Sequence, residues 1–134
     1  LFNKINEKEN IIRFTHLGTW SNPYSYRLEN IDGKITLTYN RTNGLGGYEA
    51  CRKIKNKSKE INSEKWTQIL DKINNINFWN ISTHDSQMIL DGEEWILEAL
   101  IDGKYHFVTR TSPDSYDGDK GFIELCQLIE KSGK

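Results

Sequence analysis

The stretch YSYRLENIDGKITLTYNR, residues 24–41, is a hairpin written out in full. Two runs of alternating apolar and polar residues flank Asp32-Gly33. Asp-Gly is a strong signal for a two-residue type I′ turn, which needs positive φ at both central positions. A turn there pairs Ile31 with Lys34, Leu28 with Leu37, and Tyr26 with Tyr39. Side chains alternate across a strand, so Tyr24, Tyr26, Leu28, Ile35, Leu37 and Tyr39 share the face expected to be core. Ser25, Arg27, Glu29, Thr36, Thr38 and Asn40 share the face expected to see water. One apolar and one polar face is the pattern of an antiparallel sheet with one wet side.

The same arithmetic applies further along. GEEWILEALI and KYHFVTR flank Asp102-Gly103. This second turn pairs Ile101 with Lys104, Ala99 with His106, Glu98 with Phe107, Leu97 with Val108, and Trp95 with Arg110. One face then holds Trp95, Leu97, Ala99, His106, Val108 and Arg110. The other holds Glu94, Ile96, Glu98, Leu100, Tyr105, Phe107 and Thr109. Thr111-Ser112-Pro113 closes the strand, because proline cannot donate to a ladder.

Working outward, IIRFTHL at 11–17 has the β-branched and aromatic content of a strand. YEACRKIKNKSKEI, 48–61, reads as a strand running into the one local positive cluster, Arg52, Lys53, Lys55, Lys57 and Lys59. Lysines are common guards on a solvated edge strand; binding of an acidic partner is the other reading. Trp66, Ile69, Leu70, Ile73 and Ile76 recur at helical spacing, which predicts a helix over 63–76 with Ser63 as its N-cap. Phe78-Trp79 follow as a closure of the core edge. Phe122, Leu125, Cys126 and Ile129 mark a last helix. The order β-β-β-β-α-β-β-α predicts an α+β fold, with an antiparallel sheet of about six strands and two helices packed on one face. Residues 1–10 read as a polar N-terminal tether and 11–132 as one domain.

The chain has 134 residues and a net charge of −1, with 36% hydrophobic and 11% aromatic residues. This length and balance suit one folded domain and argue against disorder. A near-neutral chain lacks the basic footprint of a nucleic-acid binder. No apolar run reaches the ~20 residues of a membrane helix. The first ten residues lack the apolar core and small-residue cleavage site of a signal peptide. The chain starts at Leu1, which either a removed leader or a trimmed domain edge would explain.

Glu98 is the most informative polar residue. It lies mid-strand between Ile96 and Leu100, on a face that otherwise looks apolar. A carboxylate there is expected to be a structural polar group, buried and bonded to a Tyr, Trp or Arg side chain. Trp95, His106 and Arg110 share the opposite face. They form either a candidate surface for an anionic or aromatic ligand or a cross-strand packing ladder. His84, Asp85 and Asp91 have ligand chemistry without ligand spacing, so no metal site is read there. His16 is a lone histidine with a structural reading. The TNGLGG turn at 42–47 lacks the Lys-Ser/Thr of a phosphate loop. No catalytic motif is present, and nothing in the chain asks for a cofactor. Cys51 and Cys126 read as two free thiols or as one disulfide in an oxidising compartment.

Within residues 66–113, FWN followed by DGEEWILEALIDGKYHFVTRTSP resembles a pattern of small uncharacterised bacterial proteins. In these, FW precedes DG..W..E, YH and R.SP. The resemblance singles out Trp79, Asp91, Trp95, Glu98, Tyr105, His106, Arg110 and Pro113. It implies a bacterial domain, often exported or lipid-anchored at the cell envelope, with no assigned activity.

Two functions compete at this point. One is a non-catalytic exported domain that binds a protein or small ligand. The other is a small hydrolase or transferase using Glu98 or His106 with Arg110. A cleft holding a carboxylate–imidazole pair would favour the second.

Overall fold

The structure, a computed structural model, describes residues 10–18, 23–42, 53–83, 93–111 and 120–133. The chain order is β1 (Asn10–Leu17), β2 (Tyr24–Ile31), β3 (Lys34–Thr42), β4 (Lys53–Glu60), α1 (Ser63–Asn75), a 3-10 turn (Phe78–Asn80), β5 (Glu94–Ile101), β6 (Lys104–Thr111) and α2 (Lys120–Ser132). The six strands form one antiparallel sheet in the order β4-β3-β2-β1-β5-β6. The fold is α+β.

Both hairpins have the register that their turns dictate. Ile31 faces Lys34, Leu28 faces Leu37 and Tyr26 faces Tyr39. In the second, Ala99 faces His106, Glu98 faces Phe107 and Trp95 faces Arg110. Asp32 and Asp102 take φ of 53° and 52°, and the glycines that follow take 85° and 78°. These are the left-handed values that a type I′ turn requires at both centres.

β1 joins the two hairpins. It pairs with β2 on one side and β5 on the other, placing Phe14 between Tyr26 and Leu97 and Ile12 between Leu28 and Ala99. These residues floor a single core. Trp66, Ile69 and Ile73 of α1, Phe78 of the 3-10 turn, and Phe122, Leu125, Cys126 and Ile129 of α2 pack onto it. Each fully buried side chain of this size contributes about 1.5–3 kcal/mol. Leu70, expected to be buried, is only partly so and packs on the cluster from its margin.

Two boundaries differ from the sequence reading. Asn10 belongs to β1 rather than to a tether; it pairs with Asn30, and its side-chain oxygen accepts from the Asp102 amide at 3.0 Å. Asn62, not Ser63, caps α1: its extended backbone lets Oδ1 accept from the Lys65 amide at 2.9 Å. The fourth strand is described over Lys53–Glu60, and its expected start at residue 48 lies outside the described residues. Residues 1–9, most of the TNGLGG turn, Cys51, Arg52, His84, Asp85, Asp91 and Pro113 lie outside them.

The polar face of the first hairpin is half-buried rather than fully wet. Next to it, Ile11 and Leu100 are cross-strand neighbours and fully buried on this same side. The central strands β1 and β5 therefore bury apolar side chains on both faces, while the described part of β2–β4 keeps a polar side.

Candidate functional site

Glu98 sits on central strand β5 with 8% of its surface exposed. Its register neighbours on the same face are Arg13 of β1 and Phe107 of β6. Arg13 donates to one carboxylate oxygen through Nε at 2.9 Å and also through its terminal nitrogen. The Tyr105 hydroxyl donates to the other oxygen at 2.9 Å. Glu98 thus has the burial and the donors that its sequence position calls for. Arg13 was not foreseeable as the donor, because the β1–β5 pairing is long-range. Burial, and then the bond to Glu98, pushes the Tyr105 phenol up to about 12. The cluster is a charge-assisted lock across three strands.

The other constellation lies on the helix-covered face. Trp95 and Arg110 are buried, at 8% and 5% exposure, and His106 is half-buried. They do not form an open ligand surface, because the helix layer and the chain after α1 lie against them. His106 Nε2 donates to the Ile81 carbonyl at 2.8 Å, and its ring meets Phe78 edge-on at 5.2 Å. Arg110 donates to the Thr83 carbonyl at 3.2 Å and to the Thr109 carbonyl at 2.7 Å. The Thr109 amide also donates to Thr83, at 2.7 Å. His106 and Arg110 therefore tie residues 81–83 to the edge of β6. Glu98 and His106 point from opposite faces of the sheet, so they make no acid–base pair.

His16 continues the row of Trp95 and Arg110 on β1. It is buried, its Nε2 donates to Glu93 at 3.0 Å, and its ring stacks on Tyr24 at 4.7 Å. Nδ1 has no partner. The Tyr24 hydroxyl donates to Glu130 of α2 at 2.8 Å; burial and this bond push its phenol far up. The stacked pair thereby fastens the end of α2 to the sheet.

Cys126 is a free thiol at the buried face of α2, and burial pushes it well up, away from the reactive thiolate. Among the described residues no three His, Cys, Asp or Glu side chains gather as a metal site, and no helix is long and apolar enough to cross a membrane.

Two of the grooves on the described surface border the sheet. One, of about 410 Å³, runs between the end of α1 and the β5–β6 turn, where Lys104 stands 4.6 Å over the Trp79 ring. The other, of about 300 Å³, lies between the sheet and the end of α2, lined by Tyr26, Leu37, Tyr39, Lys57, Lys59 and Gly133. Sequence reasoning noticed the lysines but not the groove, which needs the α2 terminus to form its far wall. No known family model and no curated protein matches this chain.

Proposed function

We propose that this chain is a non-catalytic domain that acts by binding a protein partner. One observation carries the reading: among the described residues, the side chains best equipped for chemistry are spent inside the fold. Glu98 is held by Arg13 and Tyr105, His106 by the Ile81 carbonyl, and Arg110 by the Thr83 carbonyl. Each of these bonds satisfies a group that would otherwise be costly to bury. The hydrolase or transferase alternative is disfavoured on both of its versions: Glu98 lies across the sheet from Arg110, and His106, on Arg110's own face, is bonded to the Ile81 carbonyl. Among the described residues a charged edge strand and open grooves face outward, a surface suited to a chain rather than an enclosed metabolite.

The purified domain should form a stoichiometric complex with one protein of its host, reproduced when both components are purified. A panel of ester, phosphate and glycoside substrates tests the alternative. Turnover that disappears in His106→Asn or Glu98→Gln while the fold persists would overturn the binding reading. The motif resemblance adds export to a bacterial envelope as part of the proposal; recovery of the native protein in the cytosolic fraction would remove that part.

A further inference from the structure

β4 is the terminal strand of the sheet, with a strand on one side only among the described residues. Every residue from Asn56 to Glu60 is exposed. The strand reads KIKNKSKE, four lysines against one glutamate, in a chain of net charge −1. Lys57 stands opposite Tyr39 and Lys59 opposite Leu37. Both lysines line the groove of about 300 Å³ that Tyr26, Tyr39 and Leu37 also line. An edge so charged resists pairing with a second copy of itself, because lysines would meet lysines. The same spacing attracts a strand with carboxylates at every second position. Such carboxylates repeat at about 6.8 Å, the i, i+2 distance that separates Lys57 from Lys59.

We propose that β4 is the docking edge for an extended acidic segment of the partner protein. The segment adds to the sheet as a further antiparallel or parallel strand. Its carboxylates face the lysines, and one aromatic or aliphatic side chain enters the groove. Main-chain bonds supply the affinity and the lysines supply the choice of partner. This inference rests on the binding reading above and names the chemistry of its partner.

The test is an amide NMR titration at low salt with the blocked peptide acetyl-Glu-Val-Glu-Tyr-Glu-Val-Glu-amide. The expected shifts run along 53–60 and the adjoining 36–42. The double variant Lys57→Glu/Lys59→Glu, checked for an unchanged fold by its own spectrum, binds about tenfold more weakly or worse. Lys34→Glu, an exposed lysine at the first turn, binds as the wild type does. N-methylation along one edge of the peptide abolishes binding at unchanged charge. Equal binding of the all-lysine counterpart, or of the N-methylated peptide, would overturn the proposal. So would stronger shifts of the same amides by oligothymidylate, which would make the edge a nucleic-acid site. Shifts confined to another surface would overturn the docking edge but leave the binding reading standing, because a partner held elsewhere is still a partner.

Discussion

Arg13 and Tyr105 approach Glu98 from the two strands that flank it, and each contributes differently. Arg13 supplies charge, with about a third of its side chain still in water. Glu98→Gln keeps the shape and removes the countercharge. Leaving Arg13 half-buried and unpaired should cost about 1–3 kcal/mol. Urea unfolding checks this, and an unchanged midpoint would show that the ion pair is dispensable. Tyr105 supplies a proton. Its ordinary value of 10.0 rises to about 12 in the fold, through burial first and the Glu98 bond second. Between pH 10 and 12 the folded chain holds a proton that the unfolded chain has lost, so stability falls as pH rises through that window. Tyr105→Phe removes this contribution. Its stability should decline less steeply than the wild type's over the same range, and parallel pH curves would exclude the effect.

At the scale of elements, α1 depends on its first turn. Asn62 satisfies the Lys65 amide, one of the donors that a helix start leaves open. Asn62→Ala should cost about 1 kcal/mol, while Ser63→Ala should cost much less because Ser63 is already inside the helix. Thermal unfolding of the two variants side by side distinguishes them, and equal losses would return the cap to Ser63. This case shows why boundaries read less well than elements. Asn62 and Ser63 are both good capping residues in sequence, and only the backbone angle of residue 62 separates them. The hairpins were legible to the residue because an Asp-Gly turn fixes its own register. The place of β1 was not legible: nothing local in IIRFTHL says that its neighbours are β2 and β5. The covered state of His106 and Arg110 was hidden for the same reason, since the chain bonded to them comes from Ile81–Thr83.

For the molecule as a whole, the sheet is closed by one long-range seam. The meander β1–β4 has an apolar face that, among the described residues, α1, α2 and the 3-10 turn cover. Residues 10–62 alone should therefore not fold: circular dichroism should show a largely disordered or aggregating chain, whereas residues 10–134 give a cooperative transition. A stable monomeric fragment would mean that the meander needs no helix layer. The seam between β1 and β5 also has a consequence in time. On the ribosome β1 emerges well before β5, and Ile11 meets Leu100 only after β5 has been made. At about 5–20 residues per second, the roughly eighty intervening residues take on the order of 4–16 s. Through that interval one flank of the future central strand stands bare, and a chaperone able to shield an uncovered flank has its natural opening there.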